Sequence, residues 1–160
     1  MSDAKKIFDT EAGFRAAIDL TLATAQREIR VFDRDLAHTG LSDRMHAELL
    51  TNFLKGGRSR RLRIVLHDTD WIERNAPRLL SLLRLYSHAI EVRQTPEHLR
   101  ELTDCWVLAD EANGAIRHHA DHPRGELVAD SPADLQAWWQ RFDDLWEASE
   151  PRTPGSVTGL

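Results

Sequence analysis

Apolar positions along this chain change their period several times, and each change marks an element. From Thr10 to Glu28, Phe14, Ala17, Ile18, Thr21, Leu22 and Ala25 recur at three- and four-residue spacing, which predicts an amphipathic helix. Ile29-Arg30-Val31-Phe32 switches to β-rich chemistry, and Asp33-Arg34-Asp35 ends that strand. Ser42 reads as the N-cap of a second helix, with Met45, Leu49, Leu50, Phe53 and Leu54 on its buried face and Gly56-Gly57 as its stop. Leu62–His67 is the clearest strand. Asp70 and Glu73 have capping-box spacing. Pro77 suits the first turn of a helix carrying Leu79, Leu80, Leu82, Leu83 and Tyr86, as one broken helix or two short ones. A strand over Ala89–Arg93 follows, and Thr95-Pro96 opens a short helical turn.

Cys105 to Ala109 is a nearly continuous apolar run, as expected for a strand covered on both faces. Asn113-Gly114 predicts a hairpin turn that returns the chain through Ala115–His118. A last helix starts at Ser131-Pro132 and carries Leu135, Trp138, Trp139, Phe142, Leu145 and Trp146. Residues 150–160, rich in Pro, Gly, Ser and Thr, read as a disordered tail after a single domain over residues 1–149. Short strands separated by amphipathic helices predict an α/β fold, a layered mixed β-sheet flanked by helices on both sides.

Composition narrows the class of function. At 160 residues, with 41% hydrophobic and 29% charged residues, the chain has the makings of a globular domain. A net charge of -5 argues against generic nucleic-acid binding as the dominant role, while leaving room for a local basic patch. The single cysteine excludes an internal disulfide and fits a reducing compartment. No apolar signal-peptide core follows Met1, and no segment is long enough to span a bilayer, so a cytoplasmic location is expected.

The stretch Thr103–Asp110, taken with Arg30–Asp33, the basic turn and strand from Gly57 to Asp68, and Phe142–Trp146, resembles phospholipase D-like phosphodiesterases over roughly residues 10 to 149. In that superfamily a strand carries the motif H-x-K-x4-D and an aromatic helix often closes the fold. The resemblance implies a phospholipase D-like half, of a bacterial branch with no assigned role. It also implies how active relatives work. The His attacks phosphorus, the Lys stabilises the phosphoryl oxygens, and two motifs from two halves or two subunits make one site. Aligned on Asp110, this chain holds Thr103 at the His position and Cys105 at the Lys position. Neither supplies a basic nitrogen. His98-Leu99-Arg100 is the nearest H-x-basic triplet, but the position five after Arg100 is Cys105. No catalytic residue is therefore assigned, with His67 and His98 kept as weak candidates, and the expectation leans against an enzyme.

Other polar residues carry weaker signals. Asp33, Asp35, His67, Asp68 and Arg93 fall at predicted strand ends, with Arg117 on the return strand. Arg93 and Arg117 would suit a phosphorylated ligand, whereas pairing with Asp33 or Asp68 would make them structural. Lys55, Arg58, Arg60, Arg61 and Arg63 form a basic patch that reads first as a solvated helix end. His118-His119-Ala120-Asp121-His122 lacks an evident fourth ligand, so no metal is expected, and no cofactor motif is present. Trp138 and Trp146 read as core, while Trp139 is placed for a second contact, such as another subunit. Three functions follow in order: a catalytically degenerate binding module acting on a protein partner, a phosphorylated ligand or a second copy in a homodimer; a phosphodiesterase or nuclease with a site displaced around His67, His98, Arg93 and Asp110; and a nucleic-acid binder using Lys55–Arg63.

Overall fold

A computed structural model describes residues 5–154. Eight strands, β1 (Lys5–Phe8), β2 (Glu28–Asp33), β3 (Arg61–Leu66), β4 (Ile90–Gln94), β5 (Cys105–Ala109), β6 (Asn113–His119), β7 (His122–Val128) and β8 (Glu150–Pro151), form one sheet in the order β1-β7-β6-β5-β2-β3-β4-β8. β2, β3 and β4 are parallel, and the other pairings are antiparallel, which makes the sheet mixed. Helices α1 (Glu11–Thr24), α2 (Arg44–Lys55), α3 (Asp70–Asn75), α4 (Pro77–Leu85) and α5 (Pro132–Ala148) cover it.

Strand parity sorts the core into two layers. On one face Ile29, Val31, Leu62, Ile64, Val92, Cys105 and Val107 pack with Phe14, Ile18, Leu50, Phe53 and Leu79 from α1, α2 and α4. On the other, Phe32, Val65, Trp106, Leu108 and Ile116 pack beneath Leu135, Phe142 and Leu145 of α5. Two arginines fasten α5 to that second face. Arg30 donates to the Trp139 carbonyl at 2.9 Å with its guanidinium 3.8 Å from the Trp139 ring, and Arg93 donates to the Trp146 carbonyl at 2.9 Å over the Trp146 ring at 4.2 Å. Each arginine satisfies a helix carbonyl and covers an aromatic face in one contact.

The helices and the strands β2 to β5 lie where periodicity predicts them, with Ala76 and Pro77 dividing α3 from α4. Three expectations need correction. Met45 is 59% exposed and His46 takes its buried place, hydrogen-bonding Asp19 of α1 and the Gly40 carbonyl, because the helix begins one residue later, after Asp43. The β5–β6 turn is Asp110-Glu111-Ala112, not Asn113-Gly114. Asp110 and Glu111 adopt φ of 55° and 69°, so they supply the left-handed backbone for which an Asn-Gly pair is usually needed. Glu150 and Pro151, assigned to a tail, instead pair with Gln94 and Arg93, and the Arg152 N–H reaches the Val92 carbonyl at 2.8 Å. The rest of that tail, 155–160, lies outside the described residues.

Candidate functional site

Register brings four polar side chains together at one end of the sheet. Cys105 and Arg117 are cross-strand partners in the β5–β6 hairpin, so they share a face, and Asp33 at the end of β2 lies on that same face. Thr10 caps α1 by accepting the Gly13 N–H at 2.9 Å, which sets Glu11 in the first turn above them. Arg117 is 1% exposed and donates to Glu11 through Nη1 at 2.6 Å and Nη2 at 3.1 Å. Its Nη2 also reaches the Ala120 carbonyl at 2.7 Å, its Nε the His119 carbonyl at 3.2 Å, and Phe14 lies 5.1 Å from the guanidinium. The fork is spent within the protein.

Asp33 accepts the N–H groups of Arg34 at 2.7 Å and Leu36 at 2.9 Å, together with the Cys105 thiol. Burial pushes its carboxyl above the ordinary Asp range, and the backbone donors only partly offset that. Burial, reinforced by the neighbouring Asp33 charge, likewise pushes the Cys105 thiol far up, so it stays protonated and inert as a nucleophile. Glu11 is shifted the other way, its carboxyl held below the usual range by the Arg117 hydrogen bonds. Thr103 is exposed before β5, and its carbonyl accepts the Ala120 N–H at 2.7 Å.

The remaining residues singled out in the sequence do not converge here. His67 lies on the opposite face of the sheet. Its Nε2 donates to the Leu102 carbonyl at 2.8 Å, its Nδ1 accepts from the Thr95 hydroxyl at 2.7 Å, and its ring meets Phe32 edge-on at 5.4 Å. This tautomer satisfies both nitrogens. His98 is exposed in the short 3-10 turn Glu97–Leu99. Asp68 accepts the Asp70 N–H at 2.7 Å at the start of α3. Asp110 stands at the far end of β5, where its carboxylate accepts from Gln26, Arg27 and Glu28 at 2.6, 2.8 and 2.8 Å. The sheet therefore separates Arg93 from Arg117, and its length separates Asp110 from His67.

The basic patch is partly consumed. Arg60 caps α2 through the Phe53 carbonyl at 3.0 Å, and Arg61 donates to the Arg58 and Arg60 carbonyls at 2.9 Å each. Arg63 lies 3.7 Å from Glu28, whereas Lys55 and Arg58 are exposed. The His119 and His122 rings lie 5.2 Å apart, tilted by 48°, and among the described residues no three His, Cys, Asp or Glu side chains are placed to share a metal ion. No helix among those residues is long and apolar enough to cross a membrane. Glu11 is the site residue that sequence reasoning missed. Nothing in local spacing links it to a strand 106 residues away.

A family model matches residues 10–154. The chain belongs to the family described as "Domain of unknown function (DUF7931)". No curated protein sequence matches it. Among solved structures, the DUF7931 chain resembles Nuc from Salmonella typhimurium, a phospholipase D family member, with a TM-score of 0.64 at 11% identity over 92% of this chain and 97% of that one. It also resembles phosphatidylserine synthase from Haemophilus influenzae Rd KW20, with a TM-score of 0.61 at 14% identity over 94% of this chain and 40% of that one. TrmBL2, an archaeal chromatin protein whose structure shows a novel mode of DNA binding, gives a TM-score of 0.67 at 13% identity over 94% of this chain and 55% of that one. The DUF7931 chain thus has a phospholipase D-like fold, spans nearly all of Nuc, and covers about half of TrmBL2.

Proposed function

We propose that the DUF7931 domain is a phospholipase D-like scaffold that does not hydrolyse phosphodiesters and serves as a binding module. One observation carries the reading: the end of the sheet where β5 brings Thr103 and Cys105 is filled by the Glu11–Arg117–Cys105–Asp33 cluster. Phosphoryl transfer needs a nucleophile and cations turned toward the phosphoryl oxygens. Here the thiol is protonated and buried, and all three guanidinium nitrogens already donate to protein acceptors, in four hydrogen bonds. A displaced catalytic centre at His67 lacks support, because both ring nitrogens are committed. A second copy of the chain or another protein is the kind of partner this reading expects, from a cytoplasmic protein.

The test is hydrolysis of bis(p-nitrophenyl) phosphate and of a single-stranded oligonucleotide by the purified chain. Activity at background is expected for the wild type and for His67→Ala and His98→Ala alike. Turnover in the wild type that vanishes in either variant, with the fold retained by circular dichroism, would overturn the proposal.

A further inference from the structure

At the opposite end of the parallel strands lies a different concavity of about 390 Å³. Arg61 and Arg63 reach it from the start of β3, Glu91 from β4, His88 from the turn after α4, and Arg152 from the segment after β8. Asp33 pairs with Leu66, the last residue of β3, so this pocket is separated from the Cys105 cluster by the length of the strand. We propose that it binds a small phosphate monoester, the phosphate held by the arginines and the organic body lying against Leu83, Val92 and Pro151.

The charge at this place runs against that of the chain. Three arginines and a histidine line it against one glutamate, with Arg63 also 3.7 Å from Glu28 outside the lining, in a protein whose net charge is -5. That carboxylate, Glu91, is already engaged by Arg93 Nε at 2.8 Å, so its repulsion of an anion is reduced. Arg61 is held by the carbonyls of Arg58 and Arg60 through Nη1 alone, which orients its fork and leaves Nη2 and Nε for a ligand. Arg152 has its backbone pinned to Val92 at 2.8 Å, and its side chain is exposed in the pocket lining. Preorganised arginines of this kind favour the tetrahedral, multiply accepting oxygens of a phosphate.

Size and lining decide what the phosphate is attached to. The volume falls at the low end of the roughly 300–1,000 Å³ used for small molecules, and the aliphatic wall calls for an organic portion rather than a bare ion. Among the described residues no Phe, Tyr or Trp lines the pocket, so they offer no stacking platform for successive bases of a nucleic-acid strand.

Calorimetric titration of the full chain at low ionic strength with ribose 5-phosphate, AMP and inorganic phosphate tests this, together with amide shift mapping by NMR. Both monoesters should bind about tenfold or more tighter than inorganic phosphate, and Arg152→Ala, an exposed and fold-neutral change, should weaken them about tenfold. Lys55→Ala, outside the pocket, should leave binding unchanged. Shifts should centre on Arg61–Arg63, Ile90–Val92 and Arg152. The proposal is overturned by no binding of either monoester, by equal binding of inorganic phosphate, by equal losses in Lys55→Ala and Arg152→Ala, or by shifts centred on Cys105 and Arg117. Because the readout is binding at the far end of β3, it stands or falls apart from the hydrolysis assay.

Discussion

Arg117 and Glu11 meet through two charge-assisted bonds, at 2.6 and 3.1 Å, with the arginine wholly enclosed and the carboxylate about half exposed. The pair ties the first turn of α1 to the middle of the β-sheet. Removing Glu11 leaves a buried guanidinium without its counter-charge, which costs more than the pair itself is worth. Glu11→Gln should therefore destabilise the chain by about 2 kcal/mol at pH 7, measured by urea unfolding. The Glu11 carboxyl is held below its usual range by Arg117. Its contribution is thus present above the unfolded Glu value and lost as pH falls through the lower folded value. The gap between wild type and Glu11→Gln should close toward pH 3. A gap that stays constant with pH would show the pair to be energetically idle.

Asp33 in the same cluster should respond in the opposite sense. Burial raises its carboxyl, so the folded state binds a proton more readily than the unfolded chain. The stabilisation from that proton is fully present below the unfolded Asp value and lost as pH rises through the raised folded value. Asp33→Asn cannot gain it. Between pH 7 and pH 4 the wild type should gain stability relative to Asp33→Asn, read from paired urea titrations. A parallel pair of pH profiles would mean that the backbone donors cancel the effect of burial, and a loss on acidification that they outweigh it.

The folded elements legible in the sequence are those with an apolar stripe, and the site depended on what a stripe does not encode. β1 (Lys-Lys-Ile-Phe) is a mostly exposed edge strand, and β7 contains Pro123 and Gly125, so both lack the alternation that marks a strand. Placing the turn at Asn113-Gly114 instead of Asp110–Ala112 hides that Cys105 faces Arg117. Arg93 and Arg117 look like one phosphate clamp only until strand parity puts them on opposite faces. Glu11 needs tertiary structure to be seen at all. The phospholipase D-like fold was legible because its resemblance rests on contiguous strands and helices, and solved structures share that fold.

Asp110 should prove structural. Its carboxylate satisfies three consecutive N–H groups that lead into β2. Asp110→Ala loses all three acceptor contacts and adds strain at a φ of 55°, so a loss of about 3 kcal/mol is expected. Asp110→Asn, which tolerates that backbone and keeps one acceptor oxygen, should lose about half as much. Equal losses in the two variants would assign the effect to charge alone.

His67 is predicted to matter for stability. Replacing it with Ala strips the donor from the Leu102 carbonyl, leaves the Thr95 hydroxyl only the Leu66 carbonyl at 3.5 Å as acceptor, and opens a void beside Phe32. The combined cost should be about 3 kcal/mol by chemical denaturation. A fully stable His67→Ala protein would mean that water replaces the ring and that the site is open enough to reconsider for ligand binding.

Gly125 tests how closely the outer strands are fitted to the Arg117 cluster. It pairs with Phe8 on one side and with Arg117 on the other. A Cβ there would lie 1.8 Å from the Ile116 carbonyl oxygen and 2.6 Å from Phe8 Cζ. The ring could turn aside, but the backbone oxygen belongs to the strand that carries Arg117 and cannot yield without moving it. Gly125→Ala should therefore cost about 3 kcal/mol or more and should also uncouple Glu11 from Arg117. In a double-mutant cycle, adding Glu11→Gln to Gly125→Ala should cost clearly less than Glu11→Gln alone. Strict additivity of the two losses would show that β7 can peel away while the cluster stays intact.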